Sequence, residues 1–202
     1  MRSKWEKRVL SEVIQIISGG TPKRAVPEYW GEDIPWISIQ DFNNVKGRYI
    51  RKTEEAITEE GYANSSTNIL AKEDIIISAR GTVGKLAMIS KPMAFNQSCY
   101  GIRAHDEKLN PCYLFYYLKN NIESVQRKGH GSVFNTITRD TFRTIDISIP
   151  PIKEQKAIAD TLSALDDKIE LNNKINENLE AQAQAIFKHW FIDFEFPDEN
   201  GN

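Results

Sequence analysis

The sequence predicts an α+β protein: a mixed-sheet domain over residues 1–150 is followed by a long C-terminal coiled-coil helix. Two observations predict this class. The first 150 residues contain short β-branched and aromatic runs separated by glycine, proline and polar segments, a pattern typical of strands. Residues 152–193 contain neither proline nor glycine and keep a regular spacing of apolar residues, which indicates a helix.

Strand-like runs cover residues 33–39, 74–79, 85–89, 99–104 and 145–149. Residues 110–126 have helical character, with Pro111 in the first turn, and the segment "TITRDTF" predicts a short helix capped by Thr138. The segment "GGTPKRAVPEYWGED", residues 19–33, contains so many glycines and prolines that we expect a loop. The domain therefore combines helices, strands and long polar connections.

The composition is that of an ordinary globular protein, with 40% hydrophobic and 27% charged residues. No apolar run approaches the roughly 20 residues that a membrane span needs, so we expect no membrane partner. The N-terminal residues lack the apolar core of a secretion signal. Cys99 and Cys112 are predicted to be reduced, buried thiols, which suits a cytoplasmic protein.

Charge is distributed unevenly along the chain. Residues 1–150 carry 21 Lys and Arg against 17 Asp and Glu, a net charge of +4, whereas residues 151–202 carry 5 against 11, a net charge of −6. No carboxylate occurs between Asp74 and Asp106, and none occurs between Glu123 and Asp140. These two intervals contain basic residues and predict a surface that binds a polyanion.

Polar loops of the first domain offer groups that suit DNA. Asparagine and glutamine amides suit adenine, Arg and Lys suit guanine or phosphate, and glycines let a ligand approach the backbone. We expect Arg80, Lys85 and Lys128 to contact phosphates, and Gln40, Asn43 and Asn135 to read bases. The full set of candidate DNA-binding residues is Lys23, Arg24, Gln40, Asn43, Asn44, Arg80, Thr82, Lys85, Asn96, Gln97, Lys128, His130, Ser132 and Asn135.

No motif predicts a catalytic residue, a metal site or a cofactor. The segment "RGTVGK", residues 80–85, has two residues between its glycines and Leu86 after its lysine, so it is not a P-loop. The histidines are far apart and have no metal-like partner at short spacing. Two alternatives to a DNA-reading subunit stay open: a metal-dependent nuclease that uses Asp41, Glu73 or Asp74, and a scaffold that binds only protein through its helix.

The C-terminal helix carries an unbroken heptad pattern, which predicts a coiled coil about 50 Å long. Folding two copies about position 174 pairs every a position with a d position, and Asn172 then faces Asn176 of the other copy. A buried asparagine pair would penalise shifted registers. The alternative is that both asparagines are exposed and the seam bends. The seam consists of Ile158, Leu162, Leu165, Ile169, Asn172, Asn176, Leu179, Ala183, Ile186 and Trp190.

Three segments together resemble the specificity subunit of a Type I restriction-modification system. They are "ISGGTPKRAVPEYWGEDIPWIS" (17–38), "ARGTVGKLAMISKPMAFNQS" (79–98) and "IDISIPPIKEQKAIADTLSALDDKIELNN" (145–173). The resemblance implies a DNA target-recognition domain at 1–150, a spacer and dimerisation helix at 151–193, and a tail or linker start at 194–202. It also implies a non-catalytic subunit without a cofactor.

The partners that the resemblance implies are double-stranded DNA, methyltransferase subunits and a restriction or translocase subunit. Members of this family carry two domain–helix units with antiparallel helices, whereas this sequence contains one. We therefore expect either a half-subunit that pairs with a second copy of itself or a piece of a longer chain that supplies the second domain–helix unit. The resemblance does not give the recognised sequence.

Overall fold

The computed structural model describes residues 5–105, 107–123 and 136–195. The chain divides into two compact units, Met1–Ser163 and Ala164–Asn202. The α+β class is confirmed, since the first unit combines sheets with short helices and a long helix follows.

The described part of the chain contains the following elements. The strands are Glu6–Val9 (β1), Ile14–Ser18 (β2), Trp30–Ile37 (β3), Tyr49–Ile50 (β4), Glu55–Ile57 (β5), Ile69–Leu70 (β6), Ile75–Ser78 (β7), Leu86–Ile89 (β8), Met93–Phe95 (β9), Cys99–Ala104 (β10) and Asp146–Ile149 (β11). The α-helices are Leu10–Val13 (α1), Glu59–Ala63 (α2), Pro111–Asn120 (α3) and Ile152–Phe187 (α4). Short 3-10 helices cover Pro27–Tyr29, Gln40–Asn44 and Arg139–Thr144, and a π-helical turn covers Lys188–Ile192.

The strands form three sheets. The five-stranded sheet has the order β2-β10-β7-β8-β4, the four-stranded sheet has the order β5-β3-β9-β6, and β1 pairs with β11. Two pairs are parallel, β3 with β9 and β4 with β8, and the other pairs are antiparallel. The predicted mixed sheet is therefore present.

Strand β7 shows how the core is built. Its residues Ile75, Ile76 and Ile77 are all buried, as expected for a strand covered on both faces. Ile75 and Ile77 pack in the core that also holds α3 and β11, whereas Ile76 packs in the core between the two larger sheets. The five-stranded sheet is thus the middle layer of the first unit.

The five strands predicted from the sequence are confirmed as β3, β7, β8, β10 and β11. The predicted loop over residues 19–33 is wrong at its end, because β3 already begins at Trp30. Trp30 and Ile34 both pair with Ile57, so the register of β3 shifts between them. The glycine and acidic residues in this segment do not have the character of a strand, and the strand was therefore predicted to begin later. The remaining strands were missed because most of them are very short.

The predicted helix over residues 110–126 begins as expected, with the Asn110 side chain accepting a hydrogen bond from the Tyr113 amide at 3.0 Å. This helix ends at Asn120, where the Asn121 side-chain amide donates to the Tyr117 carbonyl at 2.8 Å. Ile122 and Glu123 are helical again, and residues 124–126 lie outside the described residues. The short helix after Thr138 is confirmed as a 3-10 helix, and the Thr138 amide donates to the Thr141 hydroxyl at 3.0 Å.

Within the first unit, Gln155 fixes the beginning of α4. Its side chain is completely buried. The Nε2 group donates to the carbonyls of Lys108 and Pro150 at 2.7 and 2.8 Å, and Oε1 accepts from the Asn110 amide at 2.9 Å. One amide thereby satisfies three backbone groups that would otherwise lack partners in the core.

The first turns of α4 use their apolar residues within the first unit. Ala159 is buried, and Ile158 and Leu162 are half-buried against the core that also contains α3. In the second unit, α4 continues to Phe187, and the π-helical turn then closes with a bond of 2.9 Å from the Asp193 amide to the Lys188 carbonyl. The predicted long C-terminal helix is therefore present over residues 152–192, and its last turn is wider than an α-turn.

None of the helices within the described residues combines a bilayer-spanning length with sufficient apolar character.

Replacing Gln155 by alanine should lower the free energy of unfolding by about 3 kcal/mol, because buried backbone groups lose their partners at roughly 1–3 kcal/mol each. Urea denaturation followed by circular dichroism measures the change. Gln184→Ala is the matched control, since Gln184 is exposed on the same helix and bonds only to Glu180. The control should change stability by about 0.5 kcal/mol or less. Equal effects of the two substitutions would contradict the role assigned to Gln155.

Candidate nucleic-acid interface

The register of the five-stranded sheet brings three polar loops to one end. Tyr100, near the start of β10, lies opposite Ser18 at the end of β2, and Cys99 lies opposite Ser78 at the end of β7. Strand β8 begins at Leu86, opposite Ile77. The loops that follow β2, connect β7 to β8 and precede β10 therefore emerge side by side.

A fourth loop reaches the same end through the four-stranded sheet. Strands β3 and β9 are parallel, with Ile37 opposite Phe95, so the segments that follow them leave at the same edge. The Asn96 amide donates to the Ile37 carbonyl at 2.9 Å. The 3-10 helix Gln40–Asn44 follows β3, and the Lys85 ammonium donates to Asn43 Oδ1 at 2.5 Å.

The segment that precedes β11 joins the same group. The Ile137 amide donates to the Ala79 carbonyl at 3.1 Å, and Arg139 Nη2 donates to the Ser18 hydroxyl at 2.7 Å. We call these segments, residues 18–24, 38–44, 79–85, 96–98 and 136–139, the loop cluster. Sequence-distant loops that were predicted as separate DNA contacts are therefore neighbours.

Ser78 shapes the turn between β7 and β8. Its buried hydroxyl accepts from the Lys85 amide at 2.9 Å and donates to the Thr82 carbonyl. Gly81 and Gly84 have φ angles of 72° and 88°, which a glycine adopts without strain. The turn consequently holds Arg80 and Thr82 exposed and Lys85 half-buried.

Tryptophan side chains hold the loop after β2. Trp36 Nε1 donates to the Gly20 carbonyl at 3.0 Å. The Arg24 guanidinium lies 3.7 Å from the ring centre of Trp30, and its Nη2 donates to Glu55 at 2.8 Å. The Glu55 hydrogen bond raises the pKa of Arg24, and the Arg24 hydrogen bond lowers the pKa of Glu55. Arg24 therefore stacks on the Trp30 ring and binds the Glu55 carboxylate, so it has a structural role in this loop.

The structure places the predicted DNA-binding residues in three groups. Gln40, Asn43, Arg80, Thr82, Lys85, Asn96 and Gln97 lie in the loop cluster, and Lys23 is exposed in its first loop. Arg24 and Asn44 also lie there, but each is hydrogen-bonded to a carboxylate, Glu55 and Glu54 respectively. Lys128, His130, Ser132 and Asn135 lie outside the described residues.

The set of candidate residues omitted Ser18, Thr21 and Arg139, although Arg139 lies in one of the basic intervals. Thr21 donates to Gln97 Oε1 and links the first loop to the loop before β10. Arg139 lies in a carboxylate-free interval of the sequence, and this signal could have identified it. No sequence signal indicated Ser18, because its position follows from the pairing of β2 with β10.

Two of the three carboxylates considered for a nuclease site, Asp41 and Asp74, have structural partners. Asp41 is buried and accepts from the Ser38 and Glu54 amides at 2.7 and 2.8 Å. Asp74 accepts from the Ala71 amide at 2.7 Å and from Arg103 Nε at 2.8 Å. Among the described residues, no three His, Cys, Asp or Glu side chains are grouped closely enough to hold a metal ion. Asp41 and Asp74 therefore have structural partners, whereas the third candidate, Glu73, is exposed.

Both cysteines are free thiols in the structure. Cys99 is buried as predicted, whereas the predicted burial of Cys112 is wrong, since it is only partly buried. Burial raises the pKa of Cys99 to about 12, so its thiolate is scarce at neutral pH.

Residues 2–181 match the family model described as the Type I restriction modification DNA specificity domain. The Type I restriction enzyme MjaIX specificity subunit of Methanocaldococcus jannaschii is 36% identical over 193 residues, which cover 95% of this chain and 44% of that protein. The EcoR124I/EcoR124II specificity subunit of Escherichia coli is 29% identical over 193 residues, which cover 92% of this chain and 46% of that protein. The chain thus spans less than half of the length of these relatives.

Solved structures share the fold. The HsdS subunit of Thermoanaerobacter tengcongensis has a TM-score of 0.63 at 19% identity, and the match covers 95% of this chain and 45% of that chain. The S subunit of the Type-I restriction-modification system of M. genitalium has a TM-score of 0.68 at 19% identity, and the match covers 96% of this chain and 47% of that chain.

Replacing Ser78 by alanine should loosen the turn that presents Arg80 and Lys85, because the Lys85 amide loses its acceptor. We expect a loss of about 1–3 kcal/mol in stability and faster hydrogen exchange at the Lys85 amide, measured by NMR. Ser90→Ala is the control, since Ser90 follows the other end of β8 and bonds to the Ile50 carbonyl. Unchanged exchange at Lys85 in the Ser78 variant would show that the hydroxyl does not hold the turn.

Proposed function

Because the chain belongs to the family of Type I restriction modification DNA specificity domains, we propose that its loop cluster reads one half of a bipartite target in double-stranded DNA. The observation that carries this proposal is the meeting of basic and amide side chains from distant loops at one end of the central sheet. A concentrated set of such groups suits both phosphates and base edges.

The charges around the loop cluster favour a polyanion. Arg80 and Lys23 are exposed and have no carboxylate partner in the described part of the chain. The carboxylates nearest in the fold are engaged: Asp41 binds backbone amides and Glu55 binds Arg24. Cations without counter-ions attract phosphates, and their effect falls with added salt.

The proposed role is recognition without catalysis. Asp41 and Asp74 are held by structural hydrogen bonds, which argues against the nuclease alternative. Incubating the purified chain with duplex DNA and Mg²⁺ separates the two roles. Intact DNA is expected, and cleavage that follows the chain through purification would support the nuclease.

The proposed partners follow from the relatives, which are named as specificity subunits of Type I restriction enzymes. We propose that this chain docks methyltransferase subunits and a restriction or translocase subunit, and that these partners supply the chemistry. Mixing the chain with S-adenosylmethionine and DNA should give no methyl transfer. A protein-only scaffold, in contrast, would fail to shift DNA in a gel.

The exposed part of α4 supports pairing with a second helix. Leu165, Ile169 and Leu179 are 58%, 57% and 58% exposed, so the apolar seam positions on either side of Asn172 and Asn176 have no cover within the described chain. We propose an antiparallel partner, from a second copy or a second domain–helix unit, with Asn172 facing Asn176 of that partner. Ile158 and Leu162 pack on the core of their own first unit. In the proposed helix pair these two residues would also contact the partner helix.

Arg80→Ala should weaken DNA binding across sequences and reduce the slope of log K against log salt by about 0.9, the value for one lost phosphate contact. The same result is expected for Lys128→Ala. Fluorescence anisotropy at several salt concentrations measures both slopes. Lys72→Ala and Lys91→Ala are matched controls, because both residues are exposed and lie at the opposite end of the central strands. Unchanged slopes in Arg80→Ala and Lys128→Ala would remove these residues from the interface.

The helix arrangement predicts a specific disulfide between two copies. A chain with Asn172→Cys mixed with a chain with Asn176→Cys should crosslink on mild oxidation, whereas Asn172→Cys mixed with Leu165→Cys should not. The background carries Cys112→Ser, since Cys99 is buried with a raised pKa and Cys112 is only partly buried. Non-reducing gel electrophoresis reads the outcome. Equal crosslinking in both mixtures would contradict the antiparallel register.

A further inference from the structure

The contact between Asn43 and Lys85 fixes which atoms the asparagine presents. Lys85 Nζ lies 2.5 Å from Asn43 Oδ1. An ammonium group has only donors, so the amide atom that faces it must be the oxygen. The Nδ2 group of Asn43 and the remaining protons of Lys85 are therefore the groups left for a ligand. The lysine occupies one lone pair of Asn43 Oδ1 and fixes the amide so that Nδ2 points away from it, and the two side chains together offer at least two donors.

We propose that the Asn43–Lys85 pair reads guanine in the major groove, by donating to its O6 and N7 atoms. The inference rests on the proposed DNA-reading function and adds a base to it. It also changes the role expected for Lys85, which the sequence alone suggested as a phosphate contact.

The hydrogen-bond pattern of the bases selects guanine. Guanine shows two adjacent acceptors in the major groove, N7 and O6. Adenine places a donor beside N7, cytosine shows an N4 donor, and thymine shows O4 beside a methyl group. A pair that offers two donors matches guanine fully and meets a donor or a methyl group at each other base.

The pair is held in place from both sides, as a base-reading group requires. The Lys85 backbone is bonded to the Ser78 hydroxyl, and its side chain is half-buried. Asn43 lies on the 3-10 helix Gln40–Asn44, which the buried Asp41 ties to the Ser38 and Glu54 amides. Preorganised donors lose little freedom on binding. A phosphate contact needs less support of this kind. Arg80 on the same turn has a backbone bond of 3.2 Å to the Ser98 carbonyl, but the residue is exposed.

Neighbouring amides do not share this character. Asn44 Nδ2 donates to Glu54 at 3.3 Å, so its donor side is already in use. Asn96 Oδ1 accepts from the Ser98 amide at 3.1 Å, and Asn96 is half-buried behind the loops. Among the described asparagines of the loop cluster, Asn43 combines exposure with a lysine that fixes its orientation. The predicted preference for guanine therefore belongs to this position.

The first experiment selects bound duplexes from a random library with the full chain. A fixed guanine in the selected half-site is expected. Replacing that guanine by 7-deazaguanine, which lacks N7, should weaken binding of the unmodified protein about tenfold or more. This arm needs no protein variant. A selected half-site without guanine, or full binding to the 7-deazaguanine duplex, would overturn the inference while the DNA-reading function stands.

The second experiment uses Lys85→Met and Asn43→Ala, with Lys91→Ala as the control. Both variants should lose preference for the guanine while preferences at other positions stay, and 7-deazaguanine should cause no further loss in them. If the variants instead lower the salt slope and keep the guanine preference, the pair holds a phosphate and the inference is wrong. A chain that selects no sequence at all would overturn the proposed function together with the inference.

Discussion

Strand β10 is the constraint on which the arrangement of the first unit depends. It is hydrogen-bonded to β2 on one side and to β7 on the other, so its register sets where both neighbours end. Gly101 in this strand lets the two larger sheets pack closely, because a Cβ atom at this position would lie only 2.3 Å from Leu70 Cδ2. A fixed register places Ser18, Ser78 and the Asn96–Ser98 loop at one end. The polar chemistry of the molecule is concentrated there as a consequence of strand pairing.

Buried polar side chains convert this arrangement into a defined surface. Ser78 and Asp41 are buried, and each bonds to backbone groups of an adjacent loop. A loop held in this way can present a lysine or an asparagine at a constant position, which base reading requires and phosphate contact does not. Asp41 and Ser78 support the loops through backbone groups, and Arg80 and Lys23 remain exposed beside them.

The sequence predicted the elements whose signal is local. Strand β7 was found because three consecutive isoleucines form a buried strand, and α3 was found because Asn110 and Pro111 mark its start. The site was predicted only as separate loops. Which loops meet depends on strand order, and the pairing of Arg24 with Glu55 depends on a contact across 31 positions of the chain. Arg139 lies in an interval that the sequence marked as basic, but its contact with Ser18, 121 positions away, could not be predicted.

The heptad pattern of α4 shows a different limit of local signals. Ile158 and Leu162 fit the same repeat as Leu165 and Ile169, yet the first two pack on the core and the next two are exposed. An apolar stripe on a helix indicates that the stripe packs against something. The spacing of its residues is similar whether the helix packs on its own domain or on another helix. The buried Gln155 occupies the heptad line of Leu162 and Ile169, so the repeat begins inside the first unit. A polar residue that is buried on the stripe needs a hydrogen-bond partner, and Gln155 has such partners. Asn172 and Asn176 are exposed, and a second helix that buried them would have to supply their hydrogen-bond partners.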